Sequence, residues 1–375
     1  MGRLHDLYDL EGQSPWLDNL RRGWIGSGEL QAWIDRGVRG LTSNPTIFAK
    51  AMMETTDYDA DLAGLVTGGA SVDDAYWSLV VADIEQALEI LRPVHDTSHG
   101  EDGYVSVEVS PTLADDEAGT VVAARALDDR IDAPNLYIKV PATEAGVGAI
   151  RTLVGEGRSI NVTLIFSLDR YRAVMEAYVA GLEDRLGAVD GDVDAADLAS
   201  ISSVASFFVS RVDVEVDRRL DEVGTTEANN LRGRAAIAQT RLAYRAFTEV
   251  FAGARWEALA AAGARVQRPL WASTSTKDPS YPDTLYVDSL IGPHTVNTLP
   301  DATLDAFDDH GTLARTVDSY VDADEPAQVI EQLAALGIDM EQVAHKLETE
   351  GVASFAKSFD EVLENLGERA GGLAS

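Results

Sequence analysis

Apolar positions along the chain follow two different periods. Short runs rich in β-branched and aromatic residues predict buried strands, whereas longer stretches that repeat an apolar residue every three to four positions predict amphipathic helices. The predicted strands cover residues 14–20, 40–45, 104–109, 135–143, 159–166, 204–209, 268–274 and 295–299. The predicted helices cover residues 29–36, 57–91 with a break at 67–69, 113–129, 143–155, 169–186, 211–262 with an interruption near 224, 325–336 and 340–366, and a further helix begins at Pro45.

The alternation of strand and helix predicts a parallel sheet that is covered by helices on both sides. Eight such units favour an α/β fold consisting of a single (β/α)8 TIM barrel with extra helices, and an open doubly wound sheet is the alternative. No glycine-rich dinucleotide fingerprint follows the first strand, which argues against that alternative. We therefore expect one domain over residues 1–375, with the C-terminal helices of residues 325–366 packed on the barrel.

Lys139 lies in the middle of an apolar strand. Tyr137, Ile138 and Val140 are strand-forming neighbours, and Pro141 ends the run. Burying an unpaired ammonium group is costly, and the usual escape is a lowered pKa and a neutral amine. A neutral buried amine is a nucleophile that can form a Schiff base with a carbonyl group. A second interpretation stays open, in which the lysine ends the strand and pairs with a carboxylate.

Composition narrows the range of partners. Asp and Glu number 63 against 30 Lys and Arg, which gives the chain a formal net charge of −33. This charge argues against nucleic acid and anionic membranes as partners. The excess of acidic residues and of Arg over Lys suits either a high-GC genome or a salt-rich cytoplasm. The absence of cysteine from the sequence excludes disulfides, thiolate nucleophiles and sulfur metal sites.

No apolar run approaches the length of a membrane span, and the first ten residues lack the pattern of a secretion signal, so we expect a cytoplasmic protein. Two metal sites are considered and rejected. Asp190, Asp192 and Asp194 resemble the start of a calcium loop without its glycine and glutamate. His95 and His99 have a spacing seen at zinc sites, but they follow Pro93, which predicts a loop there.

Polar residues recur at the ends of the predicted strands. In a barrel the C-terminal ends of the strands converge on one face, where the chemistry of this fold takes place. Taken singly, such residues also serve as helix caps, turn formers or surface carboxylates, so their recurrence is the stronger observation. The residues are Asp18, Asn44, Glu108, Lys139, Asn161, Thr163 and Ser206.

Five sequence motifs resemble, in order and spacing, those of the transaldolase family: TSNPTIF, SVEVSP, NLYIKVPAT, INVTLIFS and VASFFVSRVD. The motifs WLDNL and RPLWASTSTKDP are similar to the longer form found in actinobacteria and cyanobacteria. The resemblance extends from about Trp16 to the C-terminal helix. It implies a pentose phosphate pathway transferase that moves a dihydroxyacetone unit from sedoheptulose 7-phosphate or fructose 6-phosphate to glyceraldehyde 3-phosphate or erythrose 4-phosphate.

The resemblance also implies roles for individual residues, without a cofactor or metal. Lys139 matches the Schiff-base lysine, and Asp18 matches the acid/base that takes the hydroxyl proton as the carbon–carbon bond breaks. Glu108 and Thr163 match the pair that holds a water for the proton steps. The groups that match the hydrogen-bonding partners of the dihydroxyacetone moiety are Asn44, Asn161 and Ser206.

The resemblance bears on specificity as well. Phe208 stands where the related fructose-6-phosphate aldolases have a tyrosine, which favours transfer over free aldol cleavage. Arg211 matches a phosphate-binding arginine, with a surface pair to Asp213 or Glu215 as the alternative. The second phosphate-binding arginine of shorter members falls near STSTKDP, where Lys277 is the nearest cation.

Two other functions remain open at this stage. One is a lyase that cleaves fructose 6-phosphate or a similar aldol through a Schiff base. The other is a barrel without catalysis that serves as a binding module. We expect sugar phosphates as substrates and either a monomer or a homodimer.

Overall fold

The computed structural model describes residues 2–188, 198–319 and 324–373. Within these residues eight parallel strands form a closed barrel in chain order, so the predicted TIM-barrel fold is confirmed. Every strand is buried along its length, as expected when helices cover the outside and side chains fill the interior. The strands are β1 Gln13–Leu17, β2 Leu41–Thr42, β3 Val105–Glu108, β4 Leu136–Pro141, β5 Ile160–Ile165, β6 Ser203–Phe208, β7 Arg268–Ala272 and β8 Thr295–Leu299.

A helix precedes the first strand, helices occupy most of the chain between and after the strands, and one short 3-10 helix covers Pro111–Leu113. The first nine are α1 Arg3–Glu11, α2 Arg22–Ser27, α3 Glu29–Asp35, α4 Pro45–Glu54, α5 Asp59–Thr67, α6 Val72–Thr97, α7 Glu117–Ile131, α8 Glu144–Gly155 and α9 Leu168–Ala188. The remaining helices in the described residues are α10 Ser210–Val223, α11 Thr226–Asn229, α12 Ala235–Val250, α13 Ala254–Ala261, α14 Leu285–Ser289, α15 Asp301–His310, α16 Glu325–Ala335 and α17 Met340–Leu373.

The predicted strands lie in the right places, with ends displaced by a few residues. The first strand ends at Leu17, so Asp18 directly follows β1. The helical region predicted over 211–262 is divided into four helices rather than two. Gly224, with a φ of 69°, ends α10, and Gly253, with a φ of 83°, precedes α13. Glycine adopts such backbone angles without the steric cost that a side chain adds.

The prediction that Pro93 ends its helix is wrong, because α6 continues through Pro93 to Thr97. A proline removes one hydrogen bond and crowds the preceding turn, but tertiary packing of the buried face of a helix can outweigh this cost. Leu91 is fully buried, and the ring of His95 packs edge-on against Tyr104 with the centroids 5.3 Å apart. Asp190, Asp192 and Asp194, the rejected calcium ligands, lie outside the described residues.

The pairing of neighbouring strands aligns three of the predicted site residues. Glu108 on β3 is in register with Lys139 on β4, which is in register with Asn161 on β5. Further along β5 the pairing with β6 is irregular, and Leu164 has a φ of 59°. Bulges of this kind redirect side chains and occur next to active sites. Here Thr163 lies within the irregularity, between Val162 and Ile165.

The C-terminal helix α17 crosses the outside of several elements and packs against α4, α6, α10 and β5. Gly351 permits the closest approach, since a Cβ atom at this position would lie 3.0 Å from the side chain of Leu164. Four residues later, Phe355 is buried against the end of the barrel. Among the described residues, no helix combines the length and apolar character that a membrane crossing requires.

Candidate active site

A cavity of about 180 Å³ opens at the C-terminal ends of the strands. Two further predicted residues lie directly behind its wall, where Glu108 faces Lys139 and Asn161 binds Ser206. The structure therefore brings all the predicted site residues together. The predicted residues that line the cavity itself are Asp18, Asn44, Lys139, Thr163, Ser206, Phe208, Arg211 and Lys277.

Lys139 occupies a confined environment with few polar partners. Only 5% of the residue is exposed, because helices and neighbouring strands enclose β4. Its Nζ atom donates a hydrogen bond to the backbone oxygen of Ser43 at 3.2 Å and lies 3.4 Å from Glu108 Oε2. The ring of Phe355 is centred 6.0 Å away. Lys139 thus has one close carboxylate neighbour, and the state of that carboxylate decides whether the two form a permanent ion pair.

The carboxyl groups of Glu108 and Asp18 are both shifted toward the neutral form. Burial raises the pKa of Glu108 more than the charge of Lys139 lowers it, and Asp18 adds to the rise. Burial likewise raises the pKa of Asp18, against the opposing effects of Lys139 and Thr42. A carboxyl group that favours its neutral form is a weak counterion. The raised pKa of Glu108 therefore weakens its pairing with Lys139 across the 3.4 Å that separates the two groups.

Asp18 is oriented by side chains from β2 and β8. The hydroxyl group of Thr42 donates to Asp18 Oδ1 at 2.8 Å and lies 2.7 Å from the hydroxyl of Thr298. Both threonines are almost fully buried. Sequence analysis did not single them out, although Thr42 belongs to the TSNPTIF motif. The contact between Thr42 and Thr298 joins positions 256 residues apart, so no local sequence pattern predicts it.

Two buried polar atoms near Lys139 have no hydrogen-bond partner in the described part of the chain. They are Thr163 Oγ1 and Glu108 Oε2. Buried polar atoms are normally hydrogen-bonded to protein or ordered water, so an atom without a partner requires an explanation, and a catalytic role is one such explanation. A hydroxyl and a carboxyl group on either side of an amine can exchange protons with a water molecule between them.

A hydrogen-bonded row of side chains crosses three strands beside Lys139. Asn161 Nδ2 donates to Ser106 Oγ at 3.0 Å, and Ser206 Oγ donates to Asn161 Oδ1 at 2.8 Å. Asn44 combines two tasks, because its Oδ1 accepts from the backbone N–H of Ile47 at 3.0 Å and caps α4. Its NH2 group remains available as a donor in the cavity that Asn44 lines.

The mouth of the cavity carries two cations, Arg211 and Lys277. Partial loss of contact with water lowers the pKa of both, the charge of Arg211 lowers that of Lys277 further, and the charge of Asp18 opposes both shifts. Neither forms a salt bridge within residues 2–188, 198–319 and 324–373. The alternative of a surface pair fails, since Asp213 binds Tyr286 and Glu215 binds Arg218, Arg219 and Lys346. Two neighbouring cations that form no salt bridge among the described residues are a suitable site for a phosphate group.

The apolar side of the site includes a residue that sequence reasoning missed. Phe208 is buried, with its ring 5.0 Å from that of Phe166 and 5.1 Å from the guanidinium carbon of Arg211. Phe355 comes from α17, far from every motif in the sequence, and lines the cavity. The sequence shows only that Phe355 lies on the apolar face of an amphipathic helix. That pattern predicts that the side chain is buried, but it does not predict which part of the protein it contacts.

Comparisons with known proteins identify the family of the chain. The sequence profile of the Transaldolase/Fructose-6-phosphate aldolase family matches residues 15–366. The chain is similar to the transaldolase of Thermobifida fusca, with 51% identity over 96% of both chains. It is 50% identical to transaldolase 1 of Streptomyces coelicolor, over 96% of this chain and 93% of that one. It is 49% identical to the transaldolase of Mycobacterium ulcerans, over 94% and 93% respectively. The resemblance inferred from the motifs is thereby confirmed, and the chain belongs to the transaldolase/fructose-6-phosphate aldolase family.

Proposed function

We propose that this protein is a transaldolase that transfers a dihydroxyacetone unit from a ketose phosphate to an aldose phosphate through a Schiff base on Lys139. One observation carries the proposal. A buried lysine adjoins a carboxyl group shifted toward its neutral form, at the base of a cavity whose mouth holds Arg211 and Lys277. The cavity thus combines an amine nucleophile with a site for the phosphate group of the substrate.

The first half of the proposed reaction forms the imine. Arg211 and Lys277 bind the phosphate of the ketose and so direct its carbonyl group toward Lys139. The amine adds to the carbonyl carbon, and loss of water gives the protonated imine. Glu108 and Thr163, whose free oxygen atoms adjoin the lysine, supply and remove the protons through a water molecule.

The second half breaks and remakes a carbon–carbon bond. Asp18 takes the proton of the hydroxyl group beside that bond, the bond breaks, and its electron pair moves toward the imine nitrogen. The aldose phosphate leaves, while the three-carbon unit stays on Lys139 as an enamine, held by Asn44 and the row formed by Asn161 and Ser206. Addition of the enamine to a second aldose reverses these steps.

Transfer requires that water does not intercept the enamine. Phe208 and Phe355 present apolar surface beside Lys139 and carry no group that could donate a proton. Phe208 is also the position where related aldolases have a tyrosine. These residues support transfer over release of the three-carbon unit. Because Phe355 belongs to α17, we also propose that barrel and C-terminal helices act as one domain.

Borohydride trapping tests the proposal. Reduction in the presence of fructose 6-phosphate should attach a dihydroxyacetone-derived mass to the peptide that contains Lys139. The Lys139→Met variant should lose trapping, and its transfer rate should fall by at least roughly 10⁴-fold, as on removal of a covalent nucleophile. Lys50→Met is the matched control, because Lys50 is exposed on α4. A label on Lys50 or Lys277 instead would refute the mechanism.

A turnover assay separates transfer from free cleavage. Purified protein is given fructose 6-phosphate with and without erythrose 4-phosphate, and both products are measured. A transaldolase forms sedoheptulose 7-phosphate and releases little dihydroxyacetone. Rapid release of dihydroxyacetone without an acceptor would identify a lyase, and no reaction with any ketose phosphate would identify a binding protein.

A further inference from the structure

The segment that carries Lys277 runs from residue 273 to residue 284, between β7 and α14. Lys277 is exposed, and its Nζ donates a hydrogen bond of 2.6 Å to Ser275, a residue of the same segment. A contact within one segment cannot fix the position of that segment on the protein. Before Lys277 the segment is held at Ser273, whose Oγ lies 3.0 Å from Ser210 Oγ, and at Thr274, which donates to Asn297 Oδ1 at 2.8 Å. After Lys277 it is held by contacts of residues 278–286.

Two buried aspartates of α10 make those contacts. Asp213 and Asp217 are four residues apart, so they lie on the same face of the helix. The hydroxyl of Tyr281 donates to Asp217 Oδ2 at 2.6 Å, and the hydroxyl of Tyr286 donates to Asp213 Oδ2 at 2.9 Å. We refer to these four residues, Asp213, Asp217, Tyr281 and Tyr286, as the Asp–Tyr clamp.

The aspartates are themselves fixed by backbone groups that lead into α12. Asp217 Oδ1 accepts from the N–H of Gly233 at 3.0 Å, and Asp213 Oδ1 accepts from the N–H of Ala236 at 2.8 Å. Gly233 has a φ of 68°, and a Cβ atom there would lie 2.9 Å from the ring of Tyr281. The ring of Tyr281 therefore packs closely against the backbone just before α12.

A charged contact reinforces the clamp next to the cation. Arg232 donates to Asp278 Oδ2 at 3.1 Å, and Asp278 is the immediate neighbour of Lys277. Arg232 also pairs with Asp221 of α10. The segment from Lys277 to Tyr286 is thus attached to α10 directly at Tyr281 and Tyr286, and through Arg232 at Asp278.

We propose that the Asp–Tyr clamp is a positioning device that holds Lys277 opposite Arg211, so that the two cations grip one phosphate group of the substrate. The inference rests on the proposed function and extends it to residues outside the cavity. Arg211 is the second residue of α10, and Asp213 and Asp217 follow on the next turns of the same helix. Helix α10 carries Arg211 and holds the segment of Lys277 through the clamp. This one helix therefore sets the distance between the two cations.

Protonation supports this arrangement. Burial raises the pKa of both Tyr281 and Tyr286, and the adjoining aspartates raise it further, so both hydroxyls remain donors at neutral pH. Burial raises the pKa of Asp213 to about 7, with Asp217 adding to the rise and the N–H of Ala236 and the hydroxyl of Tyr286 opposing it. Either protonation state of Asp213 keeps an oxygen that accepts from Tyr286.

The test is Tyr281→Phe, which removes one clamp hydroxyl and keeps the ring. We expect KM for fructose 6-phosphate to rise about 3- to 10-fold, the usual range for loss of one hydrogen bond, with kcat nearly unchanged. Borohydride trapping by dihydroxyacetone, which has no phosphate, should not change. Tyr58→Phe is the matched control, because Tyr58 donates to buried Asp83 at 2.8 Å and lies outside the cavity lining. This control should leave KM for both substrates at the wild-type value.

A double-mutant cycle separates positioning from general support of the fold. In the Lys277→Ala background, Tyr281→Phe should have no further effect on KM, since no cation remains to be positioned. An equal, additive rise in that background would overturn the proposal, as would loss of trapping by dihydroxyacetone. If Tyr281→Phe does not fold, Asp278→Asn weakens the neighbouring contact and takes its place in the cycle. An unchanged KM in Lys277→Ala refutes the clamp's role alone, because transfer activity and trapping on Lys139 test the proposed function independently.

Discussion

Buried carboxyl groups have many hydrogen-bond partners at one end of the barrel and few at the other. At the N-terminal end, Asp102 is fully buried and accepts hydrogen bonds from four side chains. The donors are Ser14 at 2.8 Å, Trp16 at 3.1 Å, Arg39 at 2.7 Å and Arg268 at 3.1 Å. At the C-terminal end, Asp18 accepts from a single threonine, and Glu108 Oε2 has no hydrogen-bond partner in the described residues.

The pKa shifts of these carboxyl groups follow the difference in their hydrogen-bond partners. Burial alone raises the pKa of a carboxyl group, but at Asp102 the charges of Arg268 and Arg39 outweigh it and lower the pKa below the ordinary value. At Asp18 and Glu108 burial prevails and the pKa is raised. A buried carboxylate with several hydrogen bonds and counterions stabilises the fold. A buried carboxyl group with few partners has a raised pKa, which is suited to proton transfer. One end of the barrel therefore provides stability and the other provides the proposed chemistry.

The largest expected effect is on catalysis at the C-terminal end. Asp18→Asn should still be trapped on Lys139 by borohydride, because imine formation does not need this group in the proposed mechanism. Cleavage of fructose 6-phosphate should fall by about 10²–10⁴-fold, the usual contribution of a general acid or base. The measurement is product release in a single turnover, and loss of trapping in a folded variant would contradict the assignment.

The same variant gives a stability prediction of definite sign. The pKa of Asp18 is raised in the folded state, so its contribution to stability is present below the ordinary pKa of an aspartate and is lost as pH rises through the folded-state pKa. At neutral pH the wild-type carboxyl group therefore costs stability. Asp18→Asn should unfold in urea at pH 7 at a denaturant concentration equal to or higher than the wild type.

The next effect is on stability at the N-terminal end. Asp102→Ala leaves Arg268 buried without its counterion, which should lower the free energy of unfolding by about 3–5 kcal/mol. The contribution of Asp102, whose pKa is lowered, is present above the ordinary pKa and is lost as pH falls. Urea unfolding at pH 7 and at a pH well below the ordinary aspartate pKa of about 3.9 should therefore show a smaller difference from wild type at the lower pH. A fall in kcat of the folded variant would show that the two ends are not separable.

A smaller effect is expected at the phosphate site. Arg211→Ala should lower kcat/KM for fructose 6-phosphate by roughly 10- to 150-fold, the range for a charge-assisted contact. Trapping by dihydroxyacetone should be nearly unchanged, because this ketone has no phosphate. An equal loss with both ketones would assign Arg211 to the support of the fold and leave Lys277 as the main phosphate ligand.

The smallest effect is a change in the ratio of two reactions. Phe208→Tyr introduces a hydroxyl group beside the enamine, where it can position a proton or a water molecule. Release of glyceraldehyde 3-phosphate from fructose 6-phosphate without an acceptor should rise relative to transfer. An unchanged ratio of cleavage to transfer would show that the absence of a hydroxyl at this position does not determine the reaction.

The sequence predicted the barrel well because each strand carries its own local signal. The strand around Lys139, for example, is apolar on both faces, which is typical of a parallel strand between two layers. The family motifs predicted that the site residues lie together at the C-terminal face of the barrel. Lys277, which the motifs placed least clearly, lines the cavity with the others.

Contacts between distant segments were not predictable in this way. The hydrogen bond from Thr42 to Asp18, the burial of Phe355 beside Lys139 and the clamp on α10 all depend on the closed barrel. Pro93 shows the converse error, since a strong local signal for a helix end was overridden by the packing of α6. The direction of the pKa shifts at Glu108 and Asp102 also required the structure, because burial and neighbouring charges decide it.

The position of α17 has a consequence for how the protein is made. All eight strands precede α17 in the chain, yet the ring of Phe355 on this helix is centred 6.0 Å from Lys139 Nζ. Domains generally fold as units. The surroundings of Lys139 can therefore be complete only after synthesis of the chain has passed Phe355, so the proposed nucleophile is covered by a part of the protein that is made last.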